Sequence, residues 1–128
     1  VKVGKNTKDK STIKSISEIS VDDMILDIGP KTVSLIKDII NNSNTILWNG
    51  PAGYFENPEF SKGSEEIAKK IIERKKQNKI YCVSGGGDTV AVLNSLGLTN
   101  DFDFVSTAGG AFLEFLEGKE LPGIKALN

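Results

Sequence analysis

Short apolar runs alternate along the chain with longer segments in which apolar residues recur every three or four positions. The short runs are rich in β-branched and aromatic residues, which predicts buried strands. Four such strands are expected at residues 24–28, 45–48, 80–83 and 102–105. Val1–Gly4 is typical of the end of a further strand whose beginning is missing, so we interpret the sequence as a fragment.

The segments between these runs predict four helices. The first follows Pro30, a residue suited to a first helical turn, and should end at Asn41-Asn42. The second places Ile67, Ala68, Ile71 and Ile72 on one face and ends in the basic run 74–76, as the helix dipole favours. The third should span residues 89–96 and the fourth residues 110–116, closed by Gly97 and Gly118.

Strands that alternate with helices predict an α/β fold. Near-continuous apolar strands favour a parallel sheet with helices on both faces, a Rossmann-like three-layer arrangement with right-handed crossovers. A length of 128 residues suits one domain. Residues 4–23 are rich in Lys, Ser, Thr and Asp, and we expect them to form an exposed connection.

Composition excludes several classes of function. Sixteen basic and seventeen acidic residues give a net charge of −1, which favours neither nucleic acid nor an anionic membrane as partner. The chain has no histidine, which excludes Ser-His-Asp catalysis and argues against zinc. A single cysteine, Cys82, excludes an internal disulfide and indicates a reducing compartment. With no membrane-length apolar run and no leader, we expect a cytoplasmic protein.

The segment Gly85-Gly86-Gly87-Asp88-Thr89 follows a predicted strand and opens a predicted helix. Glycines let the backbone approach a ligand closely, and the free N–H groups of a helix start attract phosphate. Asp88 is the best candidate for a Mg²⁺ ligand, and Thr89 adds a hydroxyl. The alternative is a plain strand-to-helix turn in which Asp88 is only an N-cap. A dinucleotide fingerprint fits less well, because Val90 occupies its third glycine position.

All four predicted strands end in small or turn-forming residues. Ligands of open parallel sheets bind beyond the carboxyl ends of the strands, so these loops predict a nucleotide or phosphate site. Glu56, just beyond the Asn49-Gly50-Pro51 turn, can accept hydrogen bonds from ribose hydroxyls. Gly109 and Gly110 expose a further helix start, which can bind a second phosphate or a transferred phosphoryl group.

Together these motifs resemble the C-terminal part of phosphoglycerate kinase, over nearly the whole chain. The segments that carry the resemblance are residues 26–30, 48–56, 85–89, 106–111 and 116–123. Ala108 is a departure, since the family often has glycine there.

The resemblance implies a two-domain enzyme of glycolysis and gluconeogenesis. It transfers a phosphoryl group between 1,3-bisphosphoglycerate and ADP, giving 3-phosphoglycerate and ATP, with Mg²⁺, and is expected to be a monomer at full length. Residues 1–128 would form the C-terminal part of the nucleotide-binding domain, and the phosphoglycerate would bind the absent N-terminal domain. The tail 121–128 would pack on that domain and is expected to be loosely held here.

The resemblance also assigns roles to individual residues. Leu26 and Tyr54 would line the adenine and ribose pocket, and Glu56 would hold the ribose. The residues that would border the nucleotide or meet its phosphates are Asn49, Gly50, Pro51, Gly85, Gly86, Gly87, Asp88 and Thr89. Asp88 matches the metal ligand, and Gly109 and Gly110 match the helix start that faces the transferred phosphoryl group.

In that family the transition-state arginine and the lysines that contact the phosphates lie upstream of the segment matching this chain. Phosphoryl transfer depends on such cations, so we expect the chain alone to have no kinase turnover. The alternative is a non-catalytic structural subdomain or a nucleotide-binding module. An NAD-binding domain is a more distant third possibility.

Overall fold

The computed structural model describes residues 1–77 and 80–127. Its strands are β1 (Lys2–Gly4), β2 (Thr12–Ile13), β3 (Met24–Asp27), β4 (Thr45–Asn49), β5 (Tyr81–Gly85) and β6 (Phe104–Ser106). Its α-helices are α1 (Pro30–Asn41), α2 (Lys62–Lys76), α3 (Gly87–Ser95), α4 (Gly110–Leu116) and α5 (Pro122–Lys125).

A three-stranded parallel sheet in the order β4-β5-β6 forms the centre of the fold. Asn49 of β4 lies beside Gly85 of β5, which lies beside Ser106 of β6. The carboxyl ends of the three strands are therefore neighbours along one edge of the sheet. The predicted α/β class with a parallel sheet is confirmed.

The strand Met24–Asp27 does not join that sheet, as the sequence predicted it would. It pairs antiparallel with β1, in a second three-stranded sheet of order β2-β1-β3. Met24 and Ile25 are exposed, whereas a strand inside a parallel sheet is buried on both faces. The apolar run indicated a strand correctly, but such a run carries no information about which strand pairs with it.

One face of the parallel sheet is covered by α2 and α3. Cys82 of β5, Ala68 and Ile71 of α2 and Leu93 of α3 are completely buried in a single core. Helix α1 packs against α2 and adds Ile40 to the same core. Burying this apolar surface is the main source of stability for the sheet and for the loops at its carboxyl edge.

The opposite face of the parallel sheet is open in the part of the chain that the structure describes. Leu47, Tyr81 and Phe104 share this face and are 42%, 53% and 53% exposed. Helix α4 lies at the carboxyl end of this face, where the Phe112 ring occupies the space that a Cβ on Gly85 would need. Helix α4, on this face, starts at the carboxyl edge and extends for seven residues.

Helix boundaries agree closely with the sequence pattern. Helix α1 begins at Pro30 and ends at Asn41, while α3 begins at Gly87, two residues before the predicted start. Gly97 and Gly118 follow α3 and α4 with φ angles of 67° and 79°, the left-handed conformation of a helix C-terminal glycine. In the basic last turn of α2, Lys75 is paired with Asp103.

Residues 4–23 are largely exposed and contain β2 and a short 3₁₀ turn, Ile16–Glu18. Asp23 ties this segment together. Its carboxylate accepts hydrogen bonds from Lys14 Nζ at 2.6 Å, Lys5 Nζ at 3.1 Å and the Ser20 N–H at 2.8 Å. The Lys14 and Ser20 hydrogen bonds, with smaller help from Lys5, hold the pKa of Asp23 far below its usual range.

At the other end of the chain, residues 122–127 are exposed and include α5, while Asn128 of the predicted tail lies outside the described residues. Among the helices of residues 1–77 and 80–127, none combines the length and the apolar character needed to cross a membrane.

We expect Asp23→Asn to lower the melting temperature at neutral pH, and this difference to shrink as the pH falls below about 4. The unfolded chain binds a proton at Asp23 near pH 4, whereas the folded chain binds it only at lower pH. The contribution of Asp23 to stability is thus present above its unfolded pKa and lost in acid. Melting curves between pH 3 and pH 7 measure the difference in melting temperature. Asp22→Asn, at an exposed neighbouring residue, is the control. A difference in melting temperature that did not change with pH would contradict this prediction.

Candidate functional site

The turns that follow β5 and β6 touch through their main chains. The Gly86 N–H donates to the Ala108 carbonyl oxygen at 3.0 Å. A Cβ added to Gly109 would lie 3.5 Å from the Gly86 Cα, and Gly86 itself has a φ of 87°. A Cβ at Gly109 would make only an ordinary contact there, whereas the positive φ of Gly86 favours glycine. The hydrogen-bonded turns place the two helix starts, α3 and α4, side by side.

The Asn49 side chain lies in the crevice between these turns. Its Oδ1 atom is buried and has no hydrogen-bond partner among the described residues. A Cβ built on Gly85 would lie 2.8 Å from this oxygen, and one built on Gly86 would lie 3.1 Å from it. Buried polar atoms are normally paired, so the orphaned oxygen marks a place where the protein's own hydrogen bonding is incomplete.

The first turns of α3 and α4 are open to solvent. Gly87, Asp88 and Gly110 are exposed, and a Cβ at Gly87 or Gly110 would meet nothing within 4 Å. By helix geometry the first N–H groups of each helix have no partner within it. Asn49 at the end of β4 and the two glycines that precede α3 and α4, Gly86 and Gly109, therefore frame a crevice. The two helix starts lie at its rim.

Asp88 is the carboxylate nearest this rim along the chain. In the described residues, no cluster of three or more Cys, Asp or Glu side chains is arranged to hold a metal ion. An exposed single carboxylate suits Mg²⁺, which commonly takes one or two protein ligands and completes its shell with phosphate oxygens and water. The donor set thus fits a metal shared with a phosphate ligand and does not fit a closed protein cage.

The structure places Thr89 differently from the other predicted phosphate contacts. Thr89 is 0% exposed, and its Oγ1 accepts a hydrogen bond from the Gly50 N–H at 2.6 Å. The sequence assigned this hydroxyl to a ligand, but here it is enclosed between the loop after β4 and the start of α3. Its link to Gly50 does bring two predicted site segments together.

Leu26, Pro51 and Tyr54 lie together on the wall of one cavity of about 380 Å³. Glu56 lines an adjoining cavity of about 320 Å³, and Tyr54 contributes to both. A hydrogen bond to the Glu56 carboxylate, together with its negative charge, raises the pKa of the Tyr54 hydroxyl. Thr7 and Lys8 also line the second cavity, and no local sequence signal pointed to them.

Sequence reasoning missed a buried carboxylate in the wall of the first cavity. Asp27 is 2% exposed, and its oxygens accept the Ile28 N–H at 2.8 Å and the Gly63 N–H of α2 at 2.9 Å. A Cβ on Gly53 or Gly63 would lie only 2.5 or 2.3 Å from Oδ1. Burial raises the pKa of Asp27. An aspartate inside an apolar strand was the available signal, because a buried charge needs partners.

The chain is similar to phosphoglycerate kinases. The model of the family described as phosphoglycerate kinase matches residues 1–119. The phosphoglycerate kinase of Zymomonas mobilis is 50% identical over 130 residues, which cover 100% of this chain and 33% of that protein. That of Allorhizobium ampelinum is 52% identical over 114 residues, covering 89% of this chain and 28% of that protein.

Solved structures lead to the same family. The phosphoglycerate kinase structure from Coxiella burnetii superposes with a TM-score of 0.85 at 42% identity, covering 100% of this chain and 33% of that one. The one from Pyrococcus horikoshii superposes with a TM-score of 0.69 at 37% identity, covering 82% and 25%. The chain spans about a third of the length of the relatives it matches.

We expect Gly86→Ala to lower the free energy of unfolding by about 1–3 kcal/mol, since the φ of 87° is strained for any residue with a Cβ. The new methyl group would also crowd the Asn49 Oδ1. Gly87→Ala is the matched control: its Cβ enters open space in a helix and should leave stability unchanged or raise it by up to about 1 kcal/mol. Urea unfolding measures both, and equal effects would refute the assignment of strain to Gly86.

Proposed function

Because the chain belongs to the phosphoglycerate kinase family, we propose that it supplies part of the ATP/ADP site for phosphoryl transfer. The reaction is the exchange of a phosphoryl group between 1,3-bisphosphoglycerate with ADP and 3-phosphoglycerate with ATP. The chain spans about a third of its relatives, so the proposal for these residues concerns the nucleotide. The phosphoglycerate would bind to the remainder of a full-length enzyme, which we expect to be a cytoplasmic monomer.

The contact between the Gly86 and Gly109 turns is the observation that carries this proposal. It puts the starts of two helices beside each other, at the carboxyl edge of a parallel sheet. Free N–H groups at helix starts stabilise phosphate oxygens, and two adjacent starts can serve two phosphates of one chain. A nucleotide polyphosphate is a ligand that carries such neighbouring phosphates.

In the proposed mechanism, this chain contributes positioning and electrostatic stabilisation. Main-chain N–H groups of Gly87 and Asp88, in the open first turn of α3, would bind the nucleotide phosphates, and the Gly109-Gly110 helix start would face the phosphoryl group in transit. Phosphoryl transfer spreads negative charge over the transferred oxygens, so donors fixed in advance lower the barrier. The cations that would complete the site belong, on this proposal, to the rest of the enzyme.

Asp88 is the residue that we propose as Mg²⁺ ligand. Bound there, the ion would neutralise charge on the nucleotide phosphates. The exposed carboxylate at the first turn of α3 can reach solvent and a phosphate chain alike, which supports this role. Without the ion, the same carboxylate would repel the phosphates.

The nucleoside would occupy the two adjoining cavities. Leu26, Pro51 and Tyr54 offer apolar surface for adenine, and Glu56 offers acceptors for the ribose hydroxyls. Tyr54 lines both cavities, which supports this division.

We expect Mg·ADP to bind the purified chain and Asp88→Ala to weaken that binding by at least about tenfold. Loss even of a group that only supports a metal ligand costs metal sites roughly 10- to 100-fold in affinity. Calorimetric titration measures the affinities. A melting curve is an independent check, since ligand at ~100 times its dissociation constant stabilises the folded state by about 2.7 kcal/mol.

The titration is repeated with ADP in EDTA, and with Asp22→Ala as a variant of another exposed aspartate. Without metal, Asp88→Ala should bind ADP at least as well as the unchanged chain, because a repulsive charge is gone. An equal loss with and without Mg²⁺ would rule out the metal role. If the folded chain does not bind Mg·ADP, it is a structural subdomain and does not by itself form a nucleotide-binding site.

Glu56 is tested by removing the ribose hydroxyls as well as the carboxylate. Glu56→Ala should weaken binding of Mg·ADP by about tenfold or more, as a hydrogen bond to a charged group contributes roughly 1.5–3 kcal/mol. It should leave the affinity for the 2′,3′-dideoxy analogue nearly unchanged. If both nucleotides lose affinity equally, Glu56 does not hold the ribose, and Glu59→Ala controls for loss of a nearby negative charge.

A further inference from the structure

We propose that the hydroxyls of Thr89 and Ser64 are positioning groups that hold the loop after β4, residues 49–54, in the shape that accepts the nucleotide. The inference rests on the proposed function for its ligand. It departs from the role that the sequence assigned to Thr89, because the Thr89 hydroxyl would act through the loop and would not touch a phosphate.

The loop is held at alternate residues, through the N–H groups of Gly50, Ala52 and Tyr54. The Gly50 N–H donates to Thr89 Oγ1 at 2.6 Å, and the Ala52 N–H donates to Ser64 Oγ at 2.9 Å. The Tyr54 N–H donates to the Leu26 carbonyl oxygen at 2.8 Å. The three acceptors come from α3, α2 and β3, so the loop is tied to three separate elements of the fold.

Both hydroxyls are enclosed by the protein. Thr89 and Ser64 are each 0% exposed, so a ligand cannot reach either side chain without first displacing the loop. A buried N–H that loses its acceptor is costly, because it has given up water without replacement. These two hydroxyls are therefore well suited to fixing the loop and poorly suited to direct contact with a nucleotide.

The position of the loop matters because its residues line both parts of the site. Asn49 enters the crevice beside Gly86, while Pro51 and Tyr54 form part of the 380 Å³ cavity. A fixed loop presents these groups together and avoids the entropy cost of ordering them when a ligand binds. The Gly50–Thr89 hydrogen bond would then connect the part of the site that binds phosphate, at the start of α3, to the loop that lines the nucleoside cavity.

Thr89→Val is the decisive variant, because valine keeps the branched shape and removes only the hydroxyl. In the nucleotide-free 128-residue chain, we expect hydrogen exchange of the Gly50 amide, measured by NMR, to speed up by roughly 5- to 150-fold. The Ala52 amide, held by Ser64, should change far less. Thr89→Ser retains an acceptor and should restore most of the protection at Gly50.

Ser64→Ala gives a second test that does not depend on how well Thr89→Val folds. It should expose the Ala52 amide to exchange and leave Gly50 protected. In titrations with Mg·ADP, both variants should bind more weakly, by about tenfold, and Thr89→Ser should recover most of the affinity.

The outcomes separate the two roles. If Thr89→Val weakens Mg·ADP binding but leaves Gly50 exchange unchanged, the hydroxyl contacts the nucleotide directly and the positioning role is wrong. Faster exchange at Gly50 together with unchanged affinity would also overturn it. If the unchanged chain binds no Mg·ADP, the proposed function fails, and Gly50 exchange alone then decides whether Thr89 fixes the loop.

Discussion

A main-chain contact between Gly86 and Gly109 determines the geometry of the carboxyl edge of the parallel sheet. The φ of 87° at Gly86 requires glycine where the turns after β5 and β6 meet, and these turns lead into the starts of α3 and α4. The Gly86 N–H donates to the Ala108 carbonyl oxygen, and the buried Oδ1 of Asn49 lies between the turns. The same close approach that packs the sheet edge also concentrates two sets of free N–H groups on one spot.

Helix α2 supports this edge from behind. Its middle buries Ala68 and Ile71 against the sheet, so its axis is fixed by the core. Its first turn then makes two polar contacts with the site: the Gly63 N–H binds the Asp27 carboxylate, and the Ser64 hydroxyl accepts the Ala52 N–H. Core packing is thereby coupled to loop position through groups that are themselves buried, where hydrogen bonds are poorly replaced by water.

The sequence predicted the local features well, because those depend on nearby residues. Pro30, Gly97 and Gly118 mark helix ends by their own backbone preferences, and the glycine run after β5 indicated a close backbone approach. Features that depend on distant partners were missed. The pairing of β3 with β1, the burial of Thr89 and the anchoring of Asp27 are each decided by residues far away in the sequence, to which no local pattern refers.

This difference also divides the candidate site into two halves. The half proposed for phosphate is built from turns of one sheet. The strand ladder brings these turns together, and the Gly86–Ala108 hydrogen bond joins two of them. The nucleoside half requires Leu26 of the antiparallel sheet to meet Pro51 and Tyr54, which follow a strand of the parallel one. The Tyr54–Leu26 hydrogen bond and the Asp27–Gly63 contact bridge that gap. On the proposed function, recognition of the base would therefore depend on how the two sheets dock, whereas phosphate binding would depend on the parallel sheet itself.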